Sequence, residues 1–463
     1  MDVTVNYELR DEKSNLKSDG EAKAMLDEEY LTLQVAFGEP ILLSYADIVG
    51  ITEGDYKIDL FLTSKEKLNL SGLGYQYEDF LFQLFKLRNE LLLKYLLMEE
   101  ALLEAGFEAY FTWLDSNANI NQTENCEIRL YETALVVLPQ KGEPIRIPYC
   151  YISQVSKADY KLTVANEFGE KFEFSRLGEK FDPFSKALSD ALNRMMLRTQ
   201  ESIRELLPEA GSLTVRKLAA VMKDGRAAKR KDIESLFADF WRPLTQRIKE
   251  SGIDAEYEFL ISVAEKAKVC VGAKRGLMGN LTGSYTWLLF PLRTPESNRL
   301  SNAVALEAFT TQIDKQENEP HTKTEHFEAE EKTEQTIDGD QTPATKGATY
   351  FFRIMDRKEY SQAKDEDLER ELDRFTKNIE RAMIDVNFRR EPIFLSENQL
   401  ASPKYVQYQF AIAKMPSLKI LRSLFIGRVI HLSTEQWKTD VTSLLAFNTK
   451  SLDSTEKWNK GDT

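Results

Sequence analysis

Hydrophobic and polar positions alternate with a period of two through the start of the chain, and then the period changes. Val3, Val5, Tyr7 and Leu9 alternate with polar neighbours, as a half-buried strand does. A polar loop from Asp11 to Gly20 follows. Met25-Leu26, Tyr30 to Phe37, Ile41 with Leu43, Ile48 to Ile51, Ile58 to Leu62 and Leu68 with Leu70 supply six more short apolar runs. Seven brief strands joined by turns predict an antiparallel sheet folded on itself. From Phe80 the apolar positions recur at three and four, through Leu84, Leu87 or Arg88, Leu91, Tyr95, Met98 and Leu102, which predicts a helix. Leu92, Leu93, Leu96, Leu97 and Leu103 lie outside that stripe. A helix apolar on two sides is buried on two sides. The face carrying Leu93, Leu96, Leu97 and Leu103 is therefore a candidate for packing against the following segment, a partner protein or a second copy.

The unit is written twice. Gly38-Glu39-Pro40-Ile41 returns as Gly142-Glu143-Pro144-Ile145, a shift from 38 to 142, or 104 positions. The same shift pairs Tyr45 with Tyr149, Ile48 with Ile152, Asp55-Tyr56-Lys57 with Asp159-Tyr160-Lys161 and Glu66-Lys67 with Glu170-Lys171, without a gap. Ser71-x-Leu73-Gly74 and Ser175-x-Leu177-Gly178 match as well, and the register holds from Asp11/Asp115 to Leu84/Leu188. The second copy also closes on a helix. Asp182-Pro183 supplies a cap and a first-turn proline, and Phe184, Leu188, Ala191, Met195 and Met196 form its stripe.

Seven strands and a closing helix resemble the pleckstrin-homology-like superfold, in its bacterial and GRAM-like versions. Ile145-Arg146-Ile147-Pro148-Tyr149 through Ile152, Tyr160 to Val164 and Lys171 to Leu177 carry the resemblance, which covers residues 1–208. It implies two tandem barrels, each plugged by its helix, and a role in binding proteins or lipids. In phosphoinositide binders of this family the loop between the first two strands is basic. Here the first unit has Arg10, Lys13, Lys17 and Lys23 diluted by Asp11, Glu12, Asp19 and Glu21, and the second, Asp115 to Gln122, has no basic residue.

Leu207-Pro208-Glu209-Ala210-Gly211-Ser212 breaks the pattern. Two helices are expected beyond it, 213–223 and 232–250, the second kinked at Pro243. Arg216, Lys217, Lys223, Arg226, Lys229, Arg230 and Lys231 concentrate here, opposed chiefly by Asp224 and Asp232. They are candidate contacts for a phosphate backbone or anionic lipid, or else a solvated face or an internal partner for acidic chain. Strands are expected at Phe259 to Ala264, Val269 to Val271, Tyr285 to Leu292, Ala303 to Phe309 and Ala348 to Ile354. The stretch 312–347 has almost no large apolar residue and is predicted to be disordered. A helix from Leu368 to Val386 follows, so 255–388 reads as a third, diverged unit. The tail is read as a strand at Pro392 to Leu395 and helices near 404–430 and 434–447, with a capping box at Ser433-x-x-Gln436. The expected architecture is α+β: PH-like domains at 1–106 and 107–208, a helical connector at 209–254, a β-rich domain at 255–388 and a C-terminal strand and helices at 389–463.

Composition narrows the function. A chain of 463 residues has room for roughly three domains. A net charge of −14 argues against general nucleic-acid binding. Cys126, Cys150 and Cys270 form no disulfide framework. The N-terminal residues lack a signal-peptide pattern, and no run of ~18 apolar residues suggests a membrane span. Of three histidines, His321 and His326 fall in the predicted disordered stretch and His431 stands alone, so no catalytic, metal or cofactor site is expected. Gly272 to Asn280 is glycine-rich but lacks the Gly-Lys-Ser/Thr ending of a phosphate loop, and reads as a hairpin. These features predict a cytoplasmic, non-enzymatic scaffold or adaptor with protein partners, able to self-associate. The alternatives are a peripheral membrane protein docking through the basic connector and a nucleic-acid or histone chaperone, a setting in which tandem pleckstrin-like pairs also occur.

Overall fold

The computed structural model describes residues 1–95, 100–275, 284–293, 299–311, 348–355, 357–431 and 433–450. The first repeat forms β1 (Asp2–Arg10), β2 (Leu16–Leu26), β3 (Tyr30–Val35), β4 (Ile41–Ser44), β5 (Ile48–Gly54), β6 (Lys57–Leu62), β7 (Lys67–Ser71) and α1 (Tyr77–Tyr95). The second forms β8 (Leu102–Leu114), β9 (Ile120–Tyr131), β10 (Ala134–Pro139), β11 (Ile145–Pro148), β12 (Ile152–Ala158), β13 (Lys161–Asn166), β14 (Lys171–Ser175) and α2 (Phe181–Leu206). Both sheets are antiparallel with one strand order, β4-β3-β2-β1-β7-β6-β5 and β11-β10-β9-β8-β14-β13-β12. Two seven-stranded sheets, each followed by a helix, fit the pleckstrin-homology-like architecture.

The repeated residues explain the repeated fold. Asp55-Tyr56 and Asp159-Tyr160 all have positive φ, between 50° and 59°, as a two-residue hairpin turn of the right twist requires. Tyrosine is strained there, yet each ring meets the first residue of the closing helix edge-on: Tyr56 on Tyr77 at 5.5 Å, Tyr160 on Phe181 at 6.0 Å. The turn is thus a latch between hairpin and helix. Asp11 and Asp115 build identical loops. Asp11 accepts from the backbone of Lys13 and Asn15 and from the Asn15 side chain; Asp115 does the same with Asn117 and Asn119. These bonds, led by that from the asparagine side chain, hold both carboxyls below their usual range.

The rest of the chain comprises α3 (Ser212–Val221), β15 (Ala228–Lys229), α4 (Arg230–Leu236), α5 (Trp241–Glu250), α6 (Asp254–Val263), β16 (Cys270–Arg275), β17 (Ser284–Arg293), β18 (Leu300–Thr311) and β19 (Ala348–Arg353). Then come α7 (Arg357–Gln362), α8 (Asp365–Asp385), α9 (Glu391–Phe394), α10 (Glu397–Leu400), α11 (Val406–Lys414), α12 (Pro416–Leu424), β20 (Phe425–Ile430) and α13 (Thr434–Lys450). The chain divides into two units: Met1–Met195 with Met383–Leu418, and Met196–Ala382 with Lys419–Thr463. The core of the second unit lies between its six-stranded sheet and its helices, around Val215, Leu218, Phe240, Leu244, Phe290, Phe351 and Trp437. Among the described residues no helix is long and apolar enough to cross a membrane.

Several expectations are corrected. Of the loop expected at Asp11 to Gly20, the second half belongs to β2, whose outer part is largely exposed on both faces and so shows no alternation. The helix of the first repeat is described to Tyr95, and Leu103 lies on strand β8. Helix 232–250 is two helices broken at Phe237 to Phe240, and Pro243 sits in the first turn of α5, where its missing N–H costs nothing. Phe259 to Ala264 is largely helical because an apolar run this short does not distinguish strand from helix. Pro392 to Leu395 also forms a helical turn, with the proline at its start. Residues 425–430, expected helical, are strand β20. The third sheet runs β15-β16-β17-β18-β19-β20 in chain order, unlike the two repeats, so it is not a third copy of them. Ser433 accepts from the Gln436 N–H, but the complete capping box is at Ser396 and Gln399. The stretch 312–347, with His321 and His326, lies outside the described residues.

Candidate interaction site

Helix α1 joins the two repeats. Phe80, Leu81, Leu84, Phe85 and Leu91 belong to the core of the first barrel. Leu93 is buried instead with Tyr131, Val136 and Leu138 of the second repeat, so the helix is apolar on two sides because it covers two surfaces. Leu96 and Leu97 lie outside the described residues. Leu103 is half-buried on its strand.

Three consecutive polar residues stand between those surfaces. Arg88, 1 % exposed, donates to Ile48 O from Nε at 3.3 Å and Nη2 at 2.9 Å, and Nη2 also reaches Glu143 Oε1 at 2.9 Å. Asn89 Nδ2 donates to Gly142 O at 2.8 Å. Glu90 takes Arg129 fork to fork, at 3.0 and 2.6 Å, the geometry in which a guanidinium binds a carboxylate best. That bond, then those to Glu127, strengthens Arg129's hold on its proton. Lys414 of α11 donates to Glu143 at 2.5 Å and to Val49 O at 3.4 Å. Partial burial pushes the Glu143 carboxyl up, but the bonds from Lys414 and Arg88 outweigh it and hold the group below its usual range. A buried guanidinium is tolerated only when it is paired and hydrogen-bonded, and Arg88 has the Glu143 carboxylate and the Ile48 carbonyl to answer it. Gly142 and Glu143, the start of the most evident repeated motif, thus form the anchor on which α1 rests.

Beside the anchor lies a cleft of about 640 Å³ between α1 and the outer face of the second sheet, lined among others by Phe82, Lys86, Asn89, Glu108, Tyr110 and Arg176. Asn89 Oδ1 is buried there without a partner among the described residues. Arg176 adopts φ 58° where the first repeat has Gly72 at φ 78°, and its guanidinium lies 4.4 Å from the Tyr110 ring centre. Burial pushes the Cys126 thiol up to about 12, which removes it as a nucleophile near neutral pH.

The basic connector is divided. Arg226 pairs with Glu380 at 3.4 Å, Lys229 with Asp373 at 2.7 Å and Arg230 with Glu234 at 2.6 Å, while Arg230 also stacks on Trp241. Arg216, Lys217 and Lys231 are exposed and Lys223 is half-buried. Helix α8 supplies the partners of Arg226 and Lys229. In the first repeat's basic loop, Arg10 pairs with Glu8, Lys17 with Glu66 and Lys23 with Asp2.

In the glycine-rich stretch, Lys274 is 2 % exposed and donates to both carboxylate oxygens of Asp224 at 3.0 Å. A Cβ on Gly272 would stand 2.3 Å from Trp287 Nε1 and 2.5 Å from Gly225 O, the two atoms of a 3.0 Å hydrogen bond. The glycine is there to let that bond pass, and residues 276–280 of the stretch lie outside the described residues. His431 has company that the sequence hid: Thr349 Oγ1 lies 2.6 Å from its Nε2 and accepts from Trp437 Nε1 at 3.1 Å.

Arg88, Asn89, Glu90, Arg129 and Lys414 escaped the sequence reading. Their one signal was a polar run, Arg88 to Glu90, inside an otherwise apolar helix. No family model matches the chain, and no curated protein does. Among solved structures it is similar to that of the Spt16D Pob3N heterodimer, at 14% identity over 36% of this chain and 83% of that one, with a TM-score of 0.15. At that score the likeness carries no argument.

Proposed function

We propose that this chain is a cytoplasmic, non-enzymatic adaptor that binds other proteins through its tandem pleckstrin-like modules. The observation that carries the reading is the α1 anchor. Arg88, Asn89 and Glu90 spend buried hydrogen bonds and ion pairs on fixing one module against the next. Two modules held in fixed register present their loops and strand edges at a set spacing, which suits recognition of an extended or composite partner. The pairing of Arg226, Lys229 and Arg230 within their own unit favours a protein partner over a lipid surface.

The test is recovery of the tagged full chain from its native cells, with soluble and membrane fractions kept apart. A soluble protein complex that survives nuclease treatment and moderate salt supports the adaptor reading. Recovery with membranes that Arg216→Glu, Lys217→Glu and Lys231→Glu together abolish refutes it, because anionic-lipid docking depends on those free cations.

A further inference from the structure

The duplication leaves two surfaces without their counterparts. In this chain the helix of one repeat rests on the outer sheet face of the next, with Asn89 on the Gly142 carbonyl, Arg88 on Glu143, and Leu93 on Val136 and Leu138. The first repeat has the corresponding face, which is left exposed among the described residues. Its anchor turn is retained as Gly38-Glu39, both exposed, and it is flanked by Phe37 and Leu42, which are 96% and 61% exposed. Phe37 occupies a turn and Leu42 an edge strand, so neither contributes to the barrel core.

Helix α2 has the complementary problem. Counted 104 positions on, Arg88 becomes Leu192, so that ion pair is not repeated, and the other residues of α1 that face the second sheet, namely Phe82, Lys86, Asn89, Glu90 and Leu93, become Lys186, Asp190, Asn193, Arg194 and Leu197. All five of these are exposed, and Leu197 is a large apolar side chain 57% exposed. The asparagine and the leucine are kept at the positions that make the contact in the first helix. Among the described residues the side chains of Glu39, Asn193 and Arg194 make no hydrogen bond or ion pair. The charges also match on balance, since the receiving face offers Glu21 and Glu39 while its Lys23 is paired with Asp2, and the helix offers Lys186 and Arg194 against a single acid, Asp190.

We propose that these two surfaces meet in trans: α2 of one copy rests on the first-repeat sheet face of a second copy, reproducing the α1 contact. Asn193 then donates to Gly38 O, Arg194 pairs with Glu39 or Glu21, and Leu197 covers the face beside Leu42. Thr32 and Gln34 stand where the second repeat has Val136 and Leu138, so the contact is weaker than the internal one and depends on concentration. It is heterologous, joining different surfaces of identical chains, and therefore extends into short chains or closes into a ring.

Sedimentation velocity of the full chain across the micromolar range tests this. One variant alters the helix (Asn193→Ala, Arg194→Glu, Leu197→Ser) and one the sheet face (Phe37→Ser, Glu39→Lys, Leu42→Ser). The expected result is a mass that grows with concentration for the natural chain and a dissociation constant raised at least ~10-fold for either variant alone. Mixed together, the two variants have one intact surface of each kind and should form a dimer and nothing larger, which also shows that both fold. A natural chain that stays monomeric, a variant that assembles as the natural chain does, or a mixture that stays monomeric overturns the inference. A monomer that still recovers a protein partner from cells would do so while leaving the adaptor reading intact.

Discussion

Replacing Arg88 with methionine keeps the length of its aliphatic stem and removes three hydrogen bonds. Ile48 O then loses its guanidinium donors, and an unsatisfied buried acceptor costs about 1–3 kcal/mol. Glu143 keeps Lys414, and its side chain is 43% exposed, so its loss adds at most ~1 kcal/mol. The sum, about 1–4 kcal/mol, is a sizeable share of the 5–15 kcal/mol that holds a typical domain. Glu143→Ala acts from the other side, leaving the buried guanidinium with only a carbonyl. Hydrogen exchange read by mass spectrometry is the suitable assay, because it reports each segment separately in a chain of two units. Arg88→Met should lower protection around Ile48 and Gly142 while leaving β16 to β18 unchanged. The double variant should cost less than the two singles combined, since each single strands the other's partner. A loss below ~0.5 kcal/mol for Arg88→Met, or strict additivity of the pair, would refute the anchor argument.

Three further outcomes follow from the same geometry. At Tyr160, alanine removes the ring contact but keeps the positive φ, costing about 1 kcal/mol, whereas glycine relieves the backbone and should be about 1 kcal/mol more stable than alanine by urea denaturation. Glu143 has a folded-state affinity for protons below its unfolded value of 4.5, so its contribution is fully present above that pH and is lost as the pH falls through the folded value; Glu143→Gln should flatten that part of an acid titration of stability and change nothing in its slope at neutral pH. Gly272→Ala must displace the indole of Trp287 or the Gly225 carbonyl, at a cost of at least ~1–3 kcal/mol, and the near-ultraviolet circular dichroism of Trp287 should change with it.

The duplication made much of the fold legible. A gapless 104-position register, Asp55-Tyr56 against Asp159-Tyr160 and the shared aspartates at 11 and 115 state in residues what the two sheets state in strands. Elements in the second half were harder because their apolar runs are short and unalternating: Phe259 to Val263 is helical, and Phe425 to Ile430 is a strand. The anchor was only half visible. Gly142-Glu143 stood out as a repeat, but that Arg88 is buried rather than solvated depends on a surface 55 residues further on, which no local period encodes.

The first unit is not contiguous in the chain. It holds Met1–Met195 and resumes only at Met383–Leu418, so a ribosome finishes both barrels long before it makes Lys414. At about 5–20 residues per second, the intervening residues take on the order of 10–40 s. Throughout that interval Glu143 has Arg88 but not its second cation, and the Val49 carbonyl lacks the lysine. The nascent chain therefore carries a finished pair of barrels with one clasp still open, and a folding helper that acts during synthesis would meet the protein in that state.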